Sequence, residues 1–82
     1  TVIISGHHDH DGFANGGAAI WHGADDNASG TVGVIELARA FAANPTRPRR
    51  SILFVAFAAE ERGLLGAYYM AANPVRPLDT TR

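Results

Sequence analysis

Ser51-Ile-Leu-Phe-Val-Ala-Phe57, followed at once by Ala58-Ala59-Glu60-Glu61, is the stretch that decides the fold class. Residues 51–57 are a near-continuous apolar run rich in strand formers, the pattern of a strand covered on both faces in a parallel sheet. Downstream, Leu64 to Ala72 reads as a helix stopped by Asn73-Pro74. Upstream, Val34, Leu37, Ala38 and Phe41 fall at i, i+3, i+4 and i+7, so Ser29 to Asn44 forms a helix with one apolar stripe. Ser29 or Asn27 is placed to cap its start, and Asn44-Pro45 ends it. Val2-Ile3-Ile4, closed by Ser5-Gly6, is a short buried strand. Between it and the first helix, residues 7–28 are rich in Gly, His, Asp and Asn and read as a long loop, a length that usually carries function. The expected class is α/β: a right-handed βαβ unit with parallel strands at about 1–6 and 51–57, and helices at about 29–44 and 62–72.

The 82 residues fall within the range of one small domain and are too few for two. A chain of this size buries only about 60% of its unfolded surface, so independent stability is marginal. Cysteine is absent, which removes disulfides and thiolate metal sites. No apolar run is long enough to span a bilayer, so no membrane partner is expected, and the start TVIISG lacks the charged region of a signal peptide. The chain begins with Thr1, as a processed or excised piece would. A net charge of −1 argues against a nucleic-acid partner.

The charges are unevenly spread. Residues 1–38 contain Asp9, Asp11, Asp25, Asp26, Glu36 and all four histidines, without one Lys or Arg; all seven arginines lie in residues 39–82. A bound cation would balance the first half, and a solvated acidic surface is the plainer alternative. Ala42-Ala-Asn-Pro-Thr-Arg-Pro48 recurs as Ala71-Ala-Asn-Pro-Val-Arg-Pro77, and both copies sit where a helix must stop.

Three clusters fall at predicted strand ends or where the loop enters the helix. They are His7-His8-Asp9-His10, Gly23-Ala-Asp25-Asp26-Asn27-Ala-Ser-Gly30 and Glu60-Glu61. In open α/β sheets, ligands bind outside the carboxyl ends of the strands. Parallel strands would bring the first and third clusters to one edge, and the loop could fold the second over them. Imidazole and carboxylate are donors that suit zinc.

Ser5-Gly-His-His-Asp-His10, Gly23-Ala-Asp-Asp-Asn-Ala-Ser-Gly30 and Phe57-Ala-Ala-Glu-Glu-Arg-Gly-Leu-Leu-Gly66 together resemble the motifs of the co-catalytic, two-zinc aminopeptidases. This is the bacterial leucyl-aminopeptidase group, related to glutamate carboxypeptidases and glutaminyl cyclases. The resemblance covers nearly the whole chain. It implies part of a three-layer zinc-peptidase fold, with residues 1–82 as the first part of a zinc exopeptidase catalytic domain. It implies two Zn2+ ions and a peptide substrate, cleaved at its amino terminus by a metal-bridging water. By position, His7 resembles a ligand of one zinc, Asp25 the carboxylate bridging both, and Glu61 a ligand of the second. Glu60 resembles the general base, and Asp9 the carboxylate that fixes the His7 tautomer. A cis peptide between Asp25 and Asp26 is also implied, as is a periplasmic or extracellular location.

Other readings stay open. Glu60-Glu61 could simply favour the following helix through its dipole, and Asp25-Asp26-Asn27 could be a turn and helix cap. His8 departs from the family, which more often has an aromatic or aliphatic residue there. His8 and His10 are expected to be exposed or to support ligands, with metal binding by either as the lesser alternative. Trp21 and His22 are placed in the loop near the site, and Glu36 either bonds a loop backbone or is solvated. Arg47, Arg49 and Arg50 read as a solvated loop, and Gly63 and Gly66 as close helix packing. The family takes two further ligands, an aspartate and a histidine, from later sequence. The stretch taken alone is therefore expected to bind zinc weakly and to lack turnover. A carboxypeptidase, a glutaminyl-cyclase-like enzyme or a non-catalytic homologue are the alternatives.

Overall fold

The computed structural model describes residues 1–82. In chain order the elements are β1 (Val2–His7), β2 (Phe13–Ala14), β3 (Ala19–Ile20), α1 (Ser29–Ala43), β4 (Ile52–Phe57) and α2 (Leu65–Ala72). β1 and β4 pair in parallel from Val2↔Ile52 to His7↔Phe57, with α1 in the connection between them. This is the α/β arrangement that the alternation of apolar strand and amphipathic helix predicts.

α1 lies on the strand pair through Thr31, Val34, Ala38 and Phe41, which recur on one helical face. Val34 is the one buried residue, 8% exposed. The Phe41 and Phe54 rings meet at 6.1 Å between centroids, tilted by 49°. Leu37 was expected in this stripe but is 46% exposed, because it falls beside the contact line rather than on it. β4 is half-buried rather than covered on both faces. α1 packs on both strands and α2 does not pack broadly on either, so the molecule is a thin slab of 49 × 30 × 12 Å. No helix is long and apolar enough to cross a membrane.

Several local features depart from the sequence expectation. The long loop contains a two-residue antiparallel ribbon, Phe13↔Ile20 and Ala14↔Ala19, closed by a tight turn over Asn15–Gly17. α2 starts at Leu65, not at 62. The Glu60 carbonyl accepts the N–H groups of Gly63 and Leu64, and Ala59, Gly63 and Leu64 take positive φ, so residues 60–64 form an irregular turn. Gly63 serves that turn, with open space around it. Gly66 does allow close packing: a β-carbon there would overlap the Ala58 carbonyl. Both copies of the repeat stop a helix, with the Asn44 and Asn73 N–H groups bonded to the Ala40 and Tyr69 carbonyls. At the other edge of β1, Arg82 donates to the Thr1 carbonyl and accepts from the Ile3 N–H, both at 2.8 Å.

Candidate metal centre

Parallel pairing puts the carboxyl ends of β1 and β4 at one edge, which brings His7 opposite Phe57 and close to Glu60 and Glu61. The loop before α1 is drawn to the same edge by two contacts. Gly6 lies so close to the Gly30 backbone that a β-carbon would stand 3.1 Å from its carbonyl carbon, and the Thr31 hydroxyl donates to the His7 carbonyl at 2.8 Å. His7, Glu60 and Glu61 thus form one group whose donor atoms all lie within 4.8 Å of one another; His10, Asp26 and Glu61 form a second.

The His7 ring is oriented from the main chain. Its Nδ1–H donates to the Asp9 carbonyl oxygen at 3.1 Å, and a carbonyl can only accept, so Nδ1 carries the hydrogen. In the neutral ring Nε2 then carries no hydrogen, and it lies 3.2 Å from Asp26 Oδ1 and 3.8 Å from Glu60 Oε2. A bare nitrogen and a carboxylate oxygen share no hydrogen, so only a proton or a cation placed between them makes this arrangement favourable.

The Asp9 carboxylate has a different partner from the one expected. Its Oδ1 is 3.7 Å from His7 Nδ1, beyond hydrogen-bond range, whereas Oδ1 accepts the Glu60 N–H at 3.1 Å and Oδ2 the Glu61 N–H at 3.3 Å. Asp9 therefore ties the end of β1 to the end of β4. Burial pushes its carboxyl upward, but the amides of Glu60 and Glu61, its own N–H and the nearby His7 together hold it below the ordinary value. His10 Nδ1–H donates to Glu61 Oε1 at 2.8 Å. That bond raises the His10 pKa above its ordinary value, against burial and with help from the charges of Glu61, Asp26 and Asp11.

At one position the geometry differs from the sequence expectation: Asp26, not Asp25, reaches the cluster. Ala24–Ala28 is a wide irregular turn in which Asp26 and Asn27 leave helical dihedrals, at φ −114°, ψ 94° and φ −140°, ψ 44°. Asp25 stays in neither group, is exposed, and accepts the Ser29 hydroxyl at its carbonyl, 2.6 Å away. The cis peptide is likewise one residue further on, between Asp26 and Asn27. His8 is exposed. Trp21 and His22 line a shallow groove with Phe13 and Ile20 beside the ribbon. Glu36 pairs with Arg39 at 2.8 Å on the exposed face of α1, not with a loop backbone. The signal for His10 was its place at the end of the His-rich run; nothing local in the sequence pointed to Glu61 as its partner.

The donor set fits a divalent cation. It holds imidazole nitrogens and carboxylate oxygens, the ligands zinc prefers. No arginine neutralises these carboxylates, since the one arginine–carboxylate ion pair in the chain is Arg39–Glu36. A groove of about 760 Å³ lies at the other end of the strands among Val2, Ile4, Phe41 and Ile52. It holds no histidine or carboxylate and is a gap under α1 rather than a reactive site.

A parallel strand pair with imidazole and carboxylates gathered at its carboxyl edge defines an α/β protein with a candidate metal site. The model of peptidase family M28 matches residues 1–82, and the chain belongs to that family. It is 53% identical over 51 residues to a "Probable zinc metalloprotease" of Leptosphaeria maculans, covering 62% of this chain and 11% of that protein. It is 38% identical over 77 residues to "Leucine aminopeptidase 1" of Penicillium rubens, covering 89% of this chain and 20% of that protein. The chain thus spans between about a tenth and a fifth of the length of these relatives. No solved structure matches it.

Proposed function

We propose that these residues form the metal-binding and water-activating part of a zinc exopeptidase that removes amino-terminal residues from peptides. The observation that carries this reading is the convergence of His7, Asp26, Glu60 and Glu61 at the carboxyl edge of two parallel strands. The likeness to a protein named leucine aminopeptidase supports the direction of cleavage.

His7, Asp26 and Glu61 would hold the metal, with Asp26 standing in the place that the resemblance assigns to Asp25. Bound zinc supplies a polarised carbonyl and a water acidified to a pKa of about 7. His7 presents Nε2 because the Asp9 carbonyl keeps the hydrogen on Nδ1. Glu60 is part-exposed at the same edge, with Oε2 3.8 Å from His7 Nε2, and takes the proton of the attacking water. The same carboxyl then returns that proton to the departing amine. The Asp9 bonds to the Glu60 and Glu61 amides fix where both carboxylates start.

Glu60→Gln in the full-length protein tests the assignment. Zinc content should stay unchanged while turnover of an aminoacyl substrate falls by roughly 10²–10⁴, the usual contribution of a general base. Loss of zinc in this variant would make Glu60 a ligand and overturn its role as base. The 82-residue stretch by itself should bind zinc weakly and show no turnover; tight uptake of two zinc ions would overturn that part of the reading.

A further inference from the structure

We propose that His10 is a positioning residue for Glu61, holding one carboxylate oxygen through a ring N–H so that the other is left for a metal ion. The inference rests on the reading of Glu61 as a ligand.

His10 lies three residues beyond the last residue of β1, and Glu61 lies 51 residues further along the chain. Their contact at 2.8 Å is within the range of a charge-assisted hydrogen bond. A carboxylate only accepts, so the hydrogen sits on His10 Nδ1 and occupies Oε1. The Glu61 main chain is held separately, through its N–H, by Asp9 Oδ2 at 3.3 Å. Both ends of this flexible residue are thereby fixed, and Oε2 is the oxygen not used by His10.

The imidazole is itself packed in place. Gly23, at φ 67°, lies against it: a β-carbon there would stand 3.2 Å from His10 Cβ and 3.4 Å from Cδ2. This contact is on the Cδ2 side of the ring and leaves Nδ1 to face Glu61. The distances favour a supporting role over ligation. Two donors about 2.0–2.1 Å from a tetrahedral zinc stand about 3.3 Å apart, wider than the 2.8 Å between His10 Nδ1 and Glu61 Oε1. Hydrogen bonds of this kind orient ligating side chains, and losing one typically costs about 10–100-fold in metal affinity.

The test is zinc affinity of the full-length protein, measured by competition with a chromophoric chelator, for wild type, His10→Ala, His10→Asn and His10→Gln. Alanine should weaken zinc binding about 10–100-fold. Asparagine should restore most of it, because its amide N–H falls near the position of imidazole Nδ1; glutamine, whose N–H reaches further out, should not. Zinc-edge X-ray absorption should count the same number of imidazoles in wild type and His10→Asn. Undiminished affinity in His10→Ala would overturn the proposal, and so would loss of one imidazole from the metal in His10→Asn, which would make His10 a ligand. If alanine prevents folding, the asparagine–glutamine comparison decides. Wild-type protein that takes up no zinc would overturn the underlying reading of the site instead.

Discussion

The side-chain oxygen of Asn27 accepts the backbone N–H of Gly30 at 3.1 Å, so the first turn of α1 is closed by a residue outside the helix. The two are packed so closely that a β-carbon on Gly30 would overlap the Asn27 amide. Asn27→Ala should cost about 1 kcal/mol through the lost cap, and Gly30→Ala about 1–3 kcal/mol through overpacking. Denaturant unfolding of the full-length protein checks both. A neutral Gly30→Ala would show that the turn has room to relax.

The adjacent aspartates should separate cleanly. Asp26→Asn removes the negative charge nearest His7 Nε2 and should weaken zinc binding by more than the roughly 10–100-fold that a lost supporting hydrogen bond costs. Asp25→Asn, which alters an exposed carboxylate in neither group, should stay within a few-fold of wild type. Chelator competition reads the difference, and the reverse ranking would return the bridging role to Asp25.

Asp9 should matter most in acid. Its folded pKa lies below the ordinary carboxyl value, so its stabilising contribution is complete above a pH of about 3.9 and is lost as pH falls through the folded value. In Asp9→Asn that acid-sensitive part of the unfolding curve should flatten, because an amide does not titrate. Unfolding followed from pH 6 downward would show it, and an unaltered acid limb would count against the two amide bonds.

His10 should behave in the opposite sense in metal-free protein. Its folded pKa is raised by Glu61, so its contribution is complete below about pH 6.5 and is lost as pH rises through the folded value. An NMR titration should find the His10 midpoint above the ordinary histidine value of about 6.5. A His10 midpoint at or below that value would contradict the contact with Glu61.

The fold was legible because α1 is long enough to show a helical period and β4 is an unbroken apolar run; the ribbon of Phe13–Ala14 and Ala19–Ile20 has two residues per strand and shows neither. The meeting of His7 with Glu60 and Glu61 was legible from topology, since parallel strands share a carboxyl edge. Which aspartate reaches the cluster was not legible, because Asp25 and Asp26 are the same residue type, one peptide apart, in a turn without a regular period. Nor were the partners of Asp9 and His10, which lie 51 or 52 residues away and depend on how the two strand ends sit together.

The match of His7 with Phe57 also limits where this chain can change length. Sliding β4 by one position would carry Glu60 and Glu61 about 3.3 Å along the strand direction and invert which face each side chain occupies. A residue inserted between Ile52 and Phe57 would therefore disperse the donors even if every one of them were kept. The same insertion in the exposed connection from Asn44 to Ser51 would leave them where they are. The two strands work as a ruler, and the spacing between them, as much as the identity of any ligand, is what drift in this sequence has to preserve.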